Sequence, residues 1–67
     1  MNSQHLYLKP RWVKAAIITS VYGYSKDALA KKRQRGIWLE GKIWLKAPDN
    51  TIMYCPNAIE EWVENGY

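Results

Sequence analysis

Few side chains here could do covalent or metal chemistry. The 67-residue sequence carries one His, His5, and one Cys, Cys55. That is too few soft ligands for a structural zinc site. Glu60 and Glu61 are adjacent, and neighbours on a helix point about 100° apart, so they read as a solvated face and not as an acid–base pair. Cys55 stands before Pro56 at an expected strand end and reads as a half-buried structural thiol. No Gly-rich loop that could cradle a phosphate precedes a helix. The expectation is a protein that is not an enzyme and takes no metal or cofactor. A lone cysteine forms no internal disulfide, which fits a reducing compartment.

Charge is what remains. The net charge is +4, but it is unevenly distributed. Residues 26–46 hold seven Lys or Arg against Asp27 and Glu40, whereas residues 47–67 hold four acids and no base. A localised basic region is the footprint of a polyanion partner. It centres on Ser25 to Arg35, followed by Gly36. Ser25 is a good N-cap, Asp27 suits the positive helix N-terminus, and Lys31, Lys32, Arg33 and Arg35 suit the negative C-terminus. Gly36 can take the left-handed conformation that ends a helix. Leu29 is the one large apolar side chain, so this helix is held by one edge and shows a basic face.

A helix of this kind fits the major groove of B-DNA. Lys26, Asp27, Ala30 and Lys31 occupy its N-terminal half, together with the cap Ser25. Lys can donate to guanine O6 and N7, Asp can accept from cytosine N4, and Ala can touch a thymine methyl. Arg33, Gln34 and Arg35 lie farther along, within reach of bases or phosphates. Lys26, Ala30 and Lys31 are expected to inspect bases. Lys32, Arg33 and Arg35 are expected to set position on phosphates, Lys32 by running its stem along the core edge.

The elements around this helix place it. Lys14 to Val21 reads as a first helix, with Ile17, Ile18 and Val21 directed inward. Gly23 lies in the short connection to Ser25, and two helices joined this way form a helix-turn-helix. Residues 1–10 read as an arm or short strand ending at Pro10, with Trp12 and Val13 entering the core. Lys42–Ala47 and Thr51–Tyr54 read as two strands joined at Pro48-Asp49-Asn50, a hairpin that must lie against the helices to be stable. Its tip offers Lys46, Asn50 and Thr51 as a second set of DNA contacts. Trp38 and Trp44 could stack on unpaired bases, but their neighbours Ile37, Leu39, Ile43 and Leu45 place them in a hydrophobic seam under the hairpin. Pro56 opens a last helix with Ile59, Trp62 and Val63 inward and Glu60, Glu61 and Glu64 outward. The expected fold class is α+β: a single small winged helix-turn-helix domain over residues 1–67. Its order is helix, turn, recognition helix, two-stranded hairpin wing and C-terminal helix.

Arg11-Trp12-Val13, Tyr22-Gly23-Tyr24-Ser25, the run from Arg35 to Lys42, Ala47-Pro48-Asp49, the run from Met53 to Asn57, and Ile59-Glu60-Glu61-Trp62-Val63 together resemble the small phage and prophage excisionases. The Trp38-x-x-Gly41 and Ile59-x-x-Trp62 patterns are the most specific parts. The resemblance implies a winged helix related to MerR-type DNA-binding domains, with Ser25–Arg35 as recognition helix and Lys46–Thr51 as wing. It implies a recombination directionality factor without enzyme activity. Such a protein binds double-stranded DNA of a prophage attachment region, bends it and recruits an integrase, a tyrosine recombinase, with possible cooperative self-association on DNA. This wing is shorter than the family pattern.

Other readings are a prophage transcriptional regulator of the same fold, or a protein-interaction module working through the acidic C-terminal helix. The longest apolar run near the N-terminus, Ala15–Ile18, is far short of a membrane span, so no membrane partner and a cytoplasmic location are expected.

Overall fold

The computed structural model describes residues 10–67, so the expected arm or strand over 1–10 lies outside the described residues except for Pro10. The elements are β1 (Val13–Lys14), α1 (Ala15–Tyr22), α2 (Lys26–Gln34), β2 (Trp44–Lys46), β3 (Ile52–Tyr54) and α3 (Pro56–Asn65). Among the described residues, three helices and a three-stranded antiparallel sheet make an α+β fold compatible with a small winged helix.

The expected two-stranded hairpin has a third strand. β3 is central, pairing β2 on one edge and β1 on the other. Val13 faces Tyr54, which faces Trp44, and Lys14 faces Met53, which faces Leu45, so two rungs cross the whole sheet. β1 is only two residues long and runs directly into α1, which leaves no alternation to read in the sequence. Its pairing anchors the hairpin, since a two-stranded ribbon alone is marginal in water. β2 is shorter than expected because residues 41–43 form a turn, in which Ile43 N–H donates to Leu39 O at 3.0 Å.

α1 ends where Gly23 takes φ 83° and donates to Thr19 O at 3.0 Å. Its inward face differs from the expected one. Ile18 is fully buried, while Ile17 and Val21 are exposed, Val21 by 66%. Ala15 and Tyr22 pack against the core instead. With Ile17 and Ile18 adjacent, the sequence supports either rotation of the helix, and Tyr22 decides it. Tyr22 Oη reaches across to α3 and donates to Glu60 Oε2 at 2.5 Å. Glu60 is therefore turned toward α1 and half-buried, contrary to its expected outward position.

α2 starts with the Ser25 cap: Ser25 Oγ accepts from Ala28 N–H at 3.0 Å. It ends in a Schellman motif around Gly36, at φ 73°. Gly36 N–H donates to Arg33 O at 3.1 Å and Ile37 N–H to Lys32 O at 3.0 Å, which satisfies carbonyls the helix end would otherwise strand. Leu29 is its single fully buried side chain. Burial of a leucine is worth about 1.5–3 kcal/mol, so this one contact is a large share of what holds the helix down.

The core joins Val13, Ile18, Leu29, Trp38, Ile43, Tyr54, Ala58 and Ile59. Trp38 lies at its centre, edge-on to Tyr24, Tyr54 and Trp62 at 5.7, 6.1 and 5.6 Å. Trp44 is half-buried, and its Nε1 donates to Trp38 O at 2.7 Å. Both tryptophans are thus structural. The rest of the expected seam is only partly built: Ile43 is buried and Leu45 half-buried, but Ile37 and Leu39 are exposed. The Schellman turn reverses the chain there and directs Trp38, not its neighbours, inward. Val63 is likewise exposed, because Ala58 and Ile59 with Trp62 complete the inward face of α3.

Candidate nucleic-acid interface

The single buried position Leu29 orients α2 and so decides which of its side chains reach solvent. Lys26, Asp27, Lys31, Gln34 and Arg35 are exposed, and Ala30 is half-buried beside them. Lys31 Nζ lies 3.4 Å from Asp27 Oδ2, one turn apart. Such an exposed pair contributes about 0.3–0.5 kcal/mol, so a phosphate or base edge can displace it at little cost. Ser25 is exposed, but its hydroxyl is engaged in the cap.

The expected phosphate set separates here. Arg35 projects freely into solvent. Lys32 and Arg33 are half-buried and turn to the protein itself. Lys32 Nζ stands 4.8 Å from the Tyr24 ring centre, 5.7 Å from Trp38 and 6.0 Å from Trp62. Its stem follows the core edge as expected, but the ammonium ends in an aromatic cage. Arg33 leaves the other flank of α2, where Nε donates to Tyr54 Oη at 2.8 Å and the guanidinium lies 5.4 Å from the Trp44 ring centre.

The hairpin supplies the second surface. Asn50 N–H donates to Ala47 O, and Ala47 N–H donates to Thr51 O, both at 2.8 Å. Asn50 sits at φ 70°, a left-handed position that Asn tolerates better than most residues. Asp49 Oδ1 accepts from Thr51 N–H at 3.0 Å. That hydrogen bond, with the Thr51 hydroxyl, holds the Asp49 carboxyl below its ordinary range. Asp49 is therefore a fixed negative charge at the tip. Lys46 and Asn50 are exposed and Thr51 is half-exposed beside it.

A groove of about 410 Å³ runs between these surfaces. Lys26 and Arg33 of α2 line one side, Thr51, Ile52 and Tyr54 the other, and Lys14, Ala15 and Ala16 close the end. Lys26, Arg33 and Thr51 thus come together from among the expected residues. Lys31, Gln34 and Arg35 face outward from α2, while Lys46 and Asn50 lie at the hairpin and outside the groove lining. Lys14 is an addition. It is exposed at the start of α1 and near enough to Asp49 to help hold that carboxyl ionised. Lys14 is expected as the first residue of the first helix, whereas it lies in β1 just ahead of α1, and its charge was the available signal. Among the described residues no group of three or more His, Cys, Asp or Glu could hold a metal ion, and no helix is long and apolar enough to cross a membrane.

The family model described as "Putative excisionase (DUF1233)" matches residues 5–67. The chain belongs to that family. Comparison with curated proteins and with solved structures gives no match.

Proposed function

We propose that this excisionase-family protein binds double-stranded DNA by placing α2 in the major groove and the β2–β3 hairpin on the adjoining backbone. The observation that supports this reading is the exposed face of α2, which carries Lys26, Lys31, Gln34 and Arg35 and whose Lys26 also lines the hairpin groove. Lys26, Ala30 and Lys31 inspect base edges, and Asp27 accepts from cytosine when Lys31 is drawn away. Arg35, Lys14 and Lys46 neutralise phosphates. Asn50 and Thr51 contact the backbone, and Asp49 keeps the tip from entering deeply between phosphates. Contact at two places on the duplex favours DNA that is bent or easily deformed.

In this reading the protein acts by binding, without catalysis. It serves as an architectural factor for prophage excision that assembles on attachment-site DNA with an integrase of the tyrosine recombinase type, in the cytoplasm. Regulation of transcription from the same DNA would use the same surface.

The test is titration of duplex DNA with wild type and with Lys31→Ala/Arg35→Ala. The double variant is expected to bind about 10- to 100-fold more weakly, with a shallower salt dependence. Equal binding by both proteins would remove α2 from the interface.

A further inference from the structure

Lys32 and Arg33 leave α2 on opposite flanks, and Arg33 ends on the sheet. Its two partners, Trp44 and Tyr54, are register partners across β2 and β3, and Tyr54 is also paired with Val13 of β1. The guanidinium therefore holds one of the two rungs that cross all three strands. Arg suits this position, because its planar fork can donate along its edge while its face rests near an aromatic ring. Tyr54 is only 2% exposed, so the hydroxyl that receives Arg33 is fixed by the core. Arg33 and Tyr54 both line the groove between α2 and the hairpin, so the contact spans it.

We propose that Arg33 is a positioning residue, a strut that fixes the angle between α2 and the hairpin through Tyr54 and Trp44, and that it does not contact DNA. A duplex engaged by helix and hairpin together needs their spacing set beforehand. Loss of the strut frees that angle, and binding must then restrict it again. The penalty falls on DNA that uses both elements and spares DNA held by general charge. This inference rests on the proposed DNA-binding reading for its functional consequence, but not for its geometry.

The test compares Arg33→Gln, Tyr54→Phe and the double variant. Tyr54→Phe removes only the hydroxyl, keeps the ring in the core and alters no charge. Affinities are measured well below the melting temperature over a range of salt. The probes are a duplex enriched by wild type from a randomised pool and a scrambled duplex of equal length. Each single variant is expected to bind the enriched duplex up to about tenfold more weakly. The double variant is expected to be no worse than the weaker single one. The salt slope and the scrambled-duplex affinity are expected to match wild type. The strut is overturned if Arg33→Gln flattens the salt slope by about one phosphate contact while Tyr54→Phe binds like wild type. It is also overturned if both single variants bind the enriched duplex like wild type.

Amide chemical shifts of the free protein provide an arm independent of DNA. Both single variants are expected to perturb residues 31–35, 44–46 and 52–54 together. Perturbation by Arg33→Gln confined to α2 would overturn the strut. If wild type bound no duplex, the proposed function would fail, and this second arm would still decide the role of Arg33.

Discussion

Replacing Lys32 by Met separates a charge that serves the fold from one that serves DNA. Lys32 Nζ lies 4.8, 5.7 and 6.0 Å from the ring centres of Tyr24, Trp38 and Trp62. A cation over one ring is worth about 0.5–1 kcal/mol when exposed and about 2 when desolvated. One half-buried ammonium shared among three rings should contribute ~1–2 kcal/mol in all, since it cannot approach each ring optimally at once. Met retains an apolar stem of similar reach, so the substitution removes charge and little packing. In a domain of this size each kcal/mol shifts the melting temperature by roughly 4–8 °C. Lys32→Met is therefore expected to melt about 5–15 °C lower, and Lys32→Arg to recover most of the loss. The assays are thermal unfolding by near-ultraviolet circular dichroism and duplex binding over a salt series. The salt slope of Lys32→Met is expected to equal that of wild type. A variant that melts with wild type and whose slope falls by ~0.9, the value of one lost phosphate contact, would place the Lys32 charge on DNA instead.

Two further substitutions probe the packing of α1 and α2. Burial, followed by the hydrogen bond to Glu60 and its charge, pushes the Tyr22 hydroxyl up to about 12 from 10.0. A raised folded-state value stabilises the protein below pH 10, and that advantage is lost as pH rises from 10 through 12. Urea unfolding should accordingly show wild type exceeding Tyr22→Phe at pH 8 and losing that lead across this window; a lead that persists at pH 12 contradicts the linkage. Leu29→Ala, at the one fully buried position of α2, should cost about 2–5 kcal/mol. In so small a domain, far-ultraviolet circular dichroism at 25 °C should report substantial unfolding.

The helices and the hairpin were legible because their ends are written in short-range chemistry. Ser25 caps α2, Gly36 terminates it, Pro56 opens α3, and Asn50 accepts the left-handed turn position. What the sequence concealed depends on contacts between residues far apart in the chain. β1 is two residues long and becomes a strand only because β3 offers an edge. The rotation of α1 is settled by the Tyr22–Glu60 hydrogen bond, 38 residues apart. The identity of the basic helix and the exposure of its Lys31, Gln34 and Arg35 followed from pattern and charge. The inward commitments of Lys32 and Arg33 could not, because they depend on where Trp38, Trp62, Trp44 and Tyr54 lie in space. Lys14 was visible as a charge, but its influence on the Asp49 carboxyl depends on the sheet.

Whether α2 and the hairpin together form a DNA-binding face is decided by amide chemical-shift mapping of the ¹⁵N-labelled protein with a duplex. Perturbations are expected at Lys14, Lys26, Lys31, Gln34 and Arg35 and at Lys46, Asn50 and Thr51, diminishing as salt is raised. Perturbations confined to residues 57–67 would contradict such a face and place the working surface on the acidic helix.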